Sequence, residues 1–357
     1  MLVLGVETSC DETAVALVED GRVLGNAVWT QVERHAPFGG VVPDIAARMH
    51  AEALSFVVEE AFAAAGRRPE DVTAVAATRA PGLVNCLVVG LAWAKAFAVA
   101  RDLPFVAVDH LEAHVHACLL AAPGEDPRAP ASWGGAEPLV APFVALLASG
   151  GHTAIYRYDG PGRVRRLGRT VDDAAGEAFD KVAALLGLPY PGGPQVEKTA
   201  RQGDPLAHEF ARARVKAGGP YDFSFSGIKT AVLYATRGRN QPRSAPLLPG
   251  TSVPDVAASF QEAVCEALVD ATVKAALAEG LEAIALGGGV ARNGRLRALA
   301  ETRGRARGLR VVPCHPAYCT DNAAMVAAWA EAAIAAGIAP REEDLALPAE
   351  ARSEVGA

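Results

Sequence analysis

Two histidines four residues apart, His110 and His114, are the residues of this chain whose types and spacing best suit joint chemistry. The apolar run 105–108 predicts a short buried strand, and Asp109 directly after it is a suitable N-cap for a helix that begins at His110. Residues four apart lie on one face of a helix, so the two imidazoles would converge on a single divalent metal ion. His116 lies about 200° round the helix from His110 and would not share that point. The alternative is that both histidines are ordinary surface or core residues.

The composition is that of a globular protein with enough apolar material for two domains. Of the 357 residues, 51% are hydrophobic and 21% are charged. No apolar run reaches the roughly 20 residues that a bilayer-spanning helix needs, and residues 1–5 carry no basic segment, so we expect a cytoplasmic protein without a membrane partner. The cysteines form no C-x-x-C pair, and we expect them to be reduced thiols. They are Cys10, Cys86, Cys118, Cys265, Cys314 and Cys319.

The formal net charge of −7 argues against a protein coated in positive charge for binding nucleic acid. Arginine is nevertheless concentrated in three clusters. They are Arg163, Arg165, Arg166 and Arg169; Arg237, Arg239 and Arg243; and Arg303, Arg305, Arg307 and Arg310. Either these clusters are solvated surface, or one of them marks a face that docks nucleic acid.

The chain begins with three predicted strands, and its second half repeats that pattern. The strands of the first half are residues 2–8, 13–19 and 22–29. Residues 144–155 align without gaps on residues 4–15 at an offset of 140, which places Ser149 on Ser9. Two strand–turn–strand loops of this kind can offer backbone N–H groups to the phosphates of one ligand.

Helices are predicted after the strands of each half. Asp44 is the expected cap of a long amphipathic helix that ends at Gly66. In the second half, the buried strand 284–286 runs into the glycine triplet 287–289, and Asn293 opens a helix. Strand, glycine turn and helix is a nucleotide-binding arrangement, because glycine lets a ligand approach the backbone.

These patterns predict five segments. They are a first lobe at 1–120, a linker at 121–137, a second lobe at 138–320 with a helical insertion at about 172–222, a C-terminal helix at 321–337 that packs back near the histidines, and a tail at 338–357.

Nine motifs, in this order, resemble those of the universal tRNA threonylcarbamoyladenosine transferase family, once labelled O-sialoglycoprotein endopeptidases. They are ETSCDET (7–13), HAPFGGVVPDIAARMH (35–50), HLEAH (110–114), SGGHT (149–153), DDAAGEAFDKVA (172–183), YPGGP (190–194), FSFSGIKT (223–230), GGVARN (288–293) and CTDNAAM (319–325). The resemblance runs from about residue 3 to 337. One departure is Asp109, where we expect Asn in many relatives, and either residue can cap a helix.

The resemblance implies an α/β fold of the actin-like ATPase class, with two duplicated βββα lobes and a cleft between them. It also implies that His110, His114 and Asp321 bind one metal ion, with Fe2+ as the expected ion and Zn2+ as the alternative. Taken by itself, Asp321 is better explained as the N-cap of the last helix, and the metal-binding role is favoured only when it is considered together with the histidine pair. The substrate-binding residues that the family's motifs carry over to this chain are Leu147, Ala148, Ser149, Gly150, Gly151, Asp180, Gly193, Glu197 and Asn293.

The implied reaction transfers the threonylcarbamoyl group of threonylcarbamoyl-AMP to N6 of adenosine 37 in tRNAs that read ANN codons, which gives t6A and releases AMP. Asp11 and Glu12 are candidate aids to deprotonating the attacking amine. The implied partners are tRNA and, in bacteria, a paralogous actin-like subunit and a small P-loop ATPase. The paralogue would dimerise through the first lobe, and the helix at 44–65 either forms that surface or simply covers the sheet.

Two other functions compete with this interpretation. A zincin metalloprotease needs H-E-x-x-H, but Leu111 stands where the glutamate should be and Glu112 lies one residue further on. A non-catalytic scaffold or a sugar kinase of the actin-like class is the second alternative. A scaffold is expected to have lost the histidine pair, and a sugar kinase needs a catalytic aspartate.

Overall fold

The computed structural model describes residues 1–126, 137–210, 218–242, 244–341, 343–353 and 355. Four features predicted from the sequence therefore fall wholly or partly outside the described residues. They are residues 127–136 of the linker, residues 211–217 of the helical insertion, Arg243, and residues 342, 354, 356 and 357 of the tail.

The described part of the chain forms ten strands and ten α-helices. The strands are β1 (Leu2–Glu7), β2 (Glu12–Glu19), β3 (Arg22–Thr30), β4 (Ala74–Ala80), β5 (Phe105–Asp109), β6 (Phe143–Ala148), β7 (Thr153–Tyr158), β8 (Val164–Arg169), β9 (Ala283–Gly287) and β10 (Arg310–Pro313). The helices are α1 (Val32–His35), α2 (Pro43–Ala65), α3 (Val84–Ala100), α4 (His110–His116), α5 (Ala175–Leu185), α6 (Gly192–Ala200), α7 (Ser226–Arg237), α8 (Val253–Ala278), α9 (Gly294–Arg305) and α10 (Ala323–Ala335).

The chain divides into two compact units, each with its own apolar core. Unit 1 comprises Met1–Ala141, Tyr158–Arg165 and Cys314–Ala357, and unit 2 comprises Pro142–Arg157 and Arg166–Pro313. The division into lobes made from the sequence stays a prediction. The compact units differ from it in grouping 158–165 and 314–320 with the first unit.

Unit 1 is built on a five-stranded sheet in the order β3-β2-β1-β4-β5. The outer pair, β2 and β3, is joined to β1 by antiparallel pairing, whereas β1, β4 and β5 are parallel. The carboxyl ends of these three parallel strands therefore lie at one edge of the sheet. Glu7 ends β1 at that edge, and His110 follows β5 directly.

Unit 2 contains a second five-stranded sheet, in the order β10-β9-β6-β7-β8. Its strands occur in the same spatial order as those of unit 1 when β6 is matched to β1, and β6, β9 and β10 are again parallel. The first two strands of the repeat start at Leu2 and Glu12 in unit 1 and at Phe143 and Thr153 in unit 2. The predicted duplication of a three-strand unit is confirmed.

Helix α2 begins one residue earlier than the sequence suggested. Pro43 occupies the first turn, the N-cap is Val42, and no side chain caps the helix. The prediction that Asp44 is the cap is therefore wrong, because proline is already suited to the first helical position and Asp44 lies inside the first turn. The helix ends as predicted at Gly66, whose φ of 59° is the left-handed conformation that glycine adopts readily.

Helix α10 lies against β1 at Gly5. A Cβ atom at this glycine would lie 2.6 Å from the carbonyl oxygen of Ala323 and 2.8 Å from the backbone nitrogen of Ala327. Further along α10, the Glu331 carboxylate accepts from the backbone N–H groups of Asp20 and Gly21 in the β2–β3 turn. Both contacts fix the position of α10, and with it the segment just before the helix.

Two predictions, one about bilayer-spanning helices and one about the cysteines, can be compared with the described residues. No helix among them is long and apolar enough to cross a bilayer. All six cysteines lie in the described part of the chain, and no disulfide joins any of them there.

Candidate functional site

Helix α4 carries the histidine pair, and its start is fixed by Asp109. The Asp109 Oδ1 atom accepts from the backbone N–H groups of Leu111 and Glu112, which confirms the predicted N-cap. Its Oδ2 atom accepts from the hydroxyl of Ser353 in the C-terminal segment. Oδ1 of Asp109 therefore caps the helix that presents the histidines, and Oδ2 ties this cap residue to the C-terminal segment.

Loss of this cap has a measurable consequence. Asp109→Ala removes three hydrogen bonds at a half-buried position, and we expect it to lower the free energy of unfolding by about 1–2 kcal/mol. Asp109→Asn is the matched control, because the amide oxygen can still accept from the helix and should cost less than about 0.5 kcal/mol. Urea denaturation of both variants measures the difference, and equal loss in the two would contradict a capping role.

Asp321 meets both histidines at one point. His114 Nε2 lies 3.0 Å and His110 Nε2 lies 3.7 Å from the same oxygen, Asp321 Oδ1. One ligand atom from each of the three residues lies within 4.8 Å of the others. Donor atoms bound at about 2.1 Å to one ion are separated by about 3–3.5 Å, so these residues fit a metal ion with little movement. Two imidazoles and one carboxylate are a donor set that suits zinc or iron.

The competing explanation of Asp321 does not hold in this fold. The N-cap of α10 is Asn322, whose side-chain oxygen accepts from the backbone N–H of Met325. Asp321 is therefore one residue outside the cap. His116 is turned away as expected, since its Nδ1 lies 2.7 Å from the hydroxyl of Tyr158.

Glu7 also belongs to this site, although no role was predicted for it from the sequence. It has no exposed surface, and its Oε2 atom lies 3.1 Å from His110 Nδ1. Burial by itself raises the pKa of Glu7, but the charge and hydrogen bond of His110 lower it overall. A signal for it existed in the sequence, because Glu7 is the one charged residue in the apolar run 2–7.

The charges around His110 also set its protonation. Burial alone lowers the pKa of His110, but the carboxylates of Glu7 and Asp321 raise it to about 9. A metal ion would have to displace that proton, so binding would release it to solvent.

Asp11 lies in the turn between β1 and β2, and Glu12 is the first residue of β2. Burial, followed by the charges of Asp321 and Asp11, raises the pKa of Glu12 to about 10. Glu12 is therefore neutral at pH 7 in the metal-free chain, and in that state it donates hydrogen bonds rather than accepting a proton. The proton-accepting role predicted for this pair stays a prediction.

The predicted substrate loop of unit 2 is a tight turn. Leu147 and Ala148 are buried at the end of β6, and the Ser149 backbone N–H donates to the carbonyl of His152. Gly150 and Gly151 are exposed, and a Cβ atom built on either would meet nothing within 4 Å.

The first turn of α5 lies against this loop. The Gly176 backbone N–H donates to the carbonyl of Ser149, and a Cβ atom on Gly176 would lie 2.6 Å from that carbonyl oxygen. The loop 149–151 thus sits at a helix N-terminus, where anions are favoured.

The glycine triplet is placed by the same loop. Gly288 has a φ of 85°, and a Cβ atom there would lie 2.3 Å from the carbonyl oxygen of Ala148. Glycine is required here for packing as well as for the turn.

The remaining predicted substrate residues have partners inside unit 2. The Asp180 carboxylate accepts from the backbone N–H of Gly192 at 2.7 Å, and also from that of Gly193. Glu197 Oε1 accepts from the backbone N–H of Gly294 at 3.2 Å. These contacts link α5 to the start of α6, and α6 to the start of α9.

Asn293 is the N-cap of α9, as predicted. Its Oδ1 atom accepts from the backbone N–H of Leu296, and its amide donates to Gln261. The Asn293 side chain therefore has a structural task, and its predicted contact with a ligand stays a prediction.

The third arginine cluster is partly neutralised within unit 2. Arg303 forms ion pairs with Glu266 and Asp270, and Arg305 forms one with Glu301. These pairs favour a structural or solvated role for Arg303 and Arg305 over phosphate binding.

Glu112 is not placed as the base of a metalloprotease. Its carboxylate accepts from the backbone N–H of Gly162, on the side of α4 away from the histidine pair. Burial raises its pKa to about 7. The protease alternative lacks the geometry that H-E-x-x-H provides.

Comparison with known proteins agrees with the architecture. HypF from T. kodakarensis superposes with a TM-score of 0.60 at 18% identity, covering 97% of this chain and 49% of that one. The actin-like ATPase fold expected from the sequence is confirmed.

Curated relatives match over nearly the whole chain. A tRNA N6-adenosine threonylcarbamoyltransferase from Symbiobacterium thermophilum is 50% identical, covering 92% of this chain and 90% of the relative. A protein of the same name from Sorangium cellulosum is 49% identical, and the match covers all of both chains. The family profile for tRNA N6-adenosine threonylcarbamoyltransferase matches residues 22–328. The chain therefore belongs to the tRNA N6-adenosine threonylcarbamoyltransferase family.

Proposed function

We propose that this protein transfers the threonylcarbamoyl group of threonylcarbamoyl-AMP to N6 of adenosine 37 in tRNAs that read ANN codons. Membership of the family, over almost the entire chain, is the observation that carries the proposal. The donor is a mixed anhydride, so the carbamoyl carbon is already activated and no enzyme nucleophile is needed. The protein has to orient the reactants, stabilise negative charge on oxygen, and accept one proton.

His110, His114 and Asp321 would hold one divalent ion, with Fe2+ as the expected metal and Zn2+ as the alternative. Such an ion would supply Lewis-acid stabilisation of carbonyl or phosphate oxygens. Two of the three side chains lie on α4, and Asp321 lies two residues before α10, so the packing of these helices positions the donor atoms.

The adenylate portion is assigned to unit 2. Backbone amides of Gly150 and Gly151, at the N-terminus of α5, are suited to donate to a phosphate. Asp180 and Glu197 offer acceptor oxygens to ribose hydroxyls, and the open space at Gly193 admits a base or sugar. Asp11 is the candidate for accepting the proton of the attacking amine.

The proposed partners are tRNA, a paralogous actin-like subunit and a small P-loop ATPase, all in the cytoplasm. Helix α3 exposes an apolar face that includes Val84, Val88 and Val99, which are 41%, 49% and 66% exposed. Phe56 on α2 is 40% exposed. Exposed apolar side chains on two neighbouring helices support a protein partner at this face.

Nucleoside analysis tests the proposed reaction directly. Total tRNA from cells depleted of this protein, digested and separated by mass-detected chromatography, should lack threonylcarbamoyladenosine. Re-expression of the wild-type chain should restore it, whereas re-expression of a His114→Ala chain should not. An unchanged level of the modified nucleoside after depletion would refute the proposal.

A further inference from the structure

We infer that Glu7 is a positioning residue for the metal site: its buried carboxylate fixes His110 in the tautomer that presents Nε2 toward Asp321. The inference rests on the metal site proposed above. It assigns a function to a residue that lies far in the sequence from the HLEAH motif of the histidine pair.

Three hydrogen-bond donors contact the Glu7 carboxylate. The Ser9 backbone N–H donates to Oε1, the Thr78 hydroxyl donates to Oε2 at 2.6 Å, and His110 Nδ1 lies 3.1 Å from Oε2. A carboxylate with no exposed surface is strongly unfavourable unless such donors satisfy it. A neutral side chain would satisfy these donors less well, because three donors point at the two carboxylate oxygens.

The sheet register brings the three partners together. Val6 on β1 is paired with Ala77 on β4, so Glu7 and Thr78 are the next residues along two parallel strands. Thr78 is paired in turn with Val108 on β5, and His110 lies two residues beyond Val108, directly after the strand. Glu7, Thr78 and His110 therefore lie near the carboxyl ends of three neighbouring parallel strands, which is the kind of support that a ligand residue needs.

The carboxylate determines which nitrogen of His110 carries the proton. Because Glu7 Oε2 can only accept, Nδ1 bears the hydrogen and the lone pair of the neutral ring is on Nε2. That nitrogen lies 3.7 Å from Asp321 Oδ1, on the side where the ion would bind. Ser9 Oγ, 3.2 Å from Nδ1, is a second contact on the same side of the ring.

His114 has no equivalent support. Its Nε2 lies 3.0 Å from Asp321 Oδ1, whereas its Nδ1 is buried and has no hydrogen-bond partner among the described residues. The two imidazoles are therefore unequal, and the carboxylate acts on one of them. Removing it should weaken metal binding without abolishing it, because all three ligand residues remain.

Glu7→Gln is the diagnostic substitution, because it keeps the size of the side chain and replaces one hydrogen-bond acceptor with a donor. If the amide nitrogen faces His110, it donates to Nδ1 and moves the ring proton to Nε2, which can then no longer bind metal. If the amide turns over, its nitrogen faces the Ser9 N–H and two donors collide. The first orientation changes the tautomer of His110, and the second leaves two donors facing each other at Ser9, so either orientation disturbs the hydrogen bonds that hold this side chain.

Cobalt(II) is the probe, bound to the metal-stripped full chain and measured by competition with a chelator and by its visible spectrum. We expect Glu7→Gln to weaken Co2+ binding by about 10–100-fold and to change the spectrum. Val15→Ala, a buried substitution on β2, is the control for lost stability. It should leave Co2+ affinity within about threefold of wild type and the spectrum unchanged.

The outcomes separate this inference from the proposed function. A wild-type chain that binds no Co2+ at the histidines would overturn both the role of Glu7 and the proposed metal site. Tight binding by wild type and by folded Glu7→Gln, with the same spectrum, would overturn the role of Glu7 and leave the metal site standing. Should Glu7→Gln not fold, Thr78→Val removes one anchor of the carboxylate. An unchanged affinity and spectrum in that variant would equally overturn the inference.

Discussion

His114→Ala should reduce threonylcarbamoyl transfer to tRNA by more than about 100-fold and should leave a folded chain without bound metal. The expected loss is large because His114 Nε2 and His110 Nε2 both point at one carboxylate oxygen, so removing one imidazole leaves two ligands at the site. The measurements are transfer of a labelled threonylcarbamoyl group to tRNA, metal content by mass spectrometry, and thermal melting.

A histidine outside the site provides the control for this variant. His208 is half-buried in unit 2, where its ring stacks on Phe210 at 5.6 Å, and His208→Ala should keep both metal and transfer activity. A metal-free, folded His114→Ala chain with full transfer activity would refute the role assigned to the ion. Failure of His114→Ala to fold would be detected by melting, and Asp321→Asn, at a more exposed ligand, would then repeat the test.

Gly5→Ala is expected to have the second largest effect, although Gly5 is remote from any ligand in the sequence. The added Cβ would lie 2.6 Å from one backbone atom of α10 and 2.8 Å from another, and backbone atoms cannot move aside as the end of a long side chain can. We expect unfolding of unit 1 to become easier by about 1–3 kcal/mol. Because Asp321 precedes α10 by two residues, metal affinity should fall together with stability.

Gly40→Ala is the matched control in the same unit, because a Cβ atom at Gly40 would meet nothing within 4 Å. It should change the melting temperature by less than Gly5→Ala does and should leave metal binding intact. Urea denaturation followed by Co2+ titration of both variants measures the two effects. Wild-type stability and affinity in Gly5→Ala would show that α10 is not held at this contact.

The elements that carry the site could be predicted because their signals are local. The apolar run before Asp109 and the four-residue spacing of the histidines specified strand, cap and helix within a dozen residues. The duplicated strands were visible because an offset of 140 residues preserves the alternation of turns and apolar runs. The prediction that Asp44 caps α2 was wrong, because an aspartate next to a proline is equally compatible with a cap and with the first turn.

Only the tertiary structure decided which of the available polar residues meet. By itself, Asp321 was better explained from the sequence as a helix cap than as a ligand. The fold gives the cap to Asn322 and leaves Asp321 beside the histidines. Glu7 stands 103 residues from His110, and nothing local relates them. Their contact depends on the order and register of three parallel strands, which are set by the packing of the entire sheet rather than by any one segment.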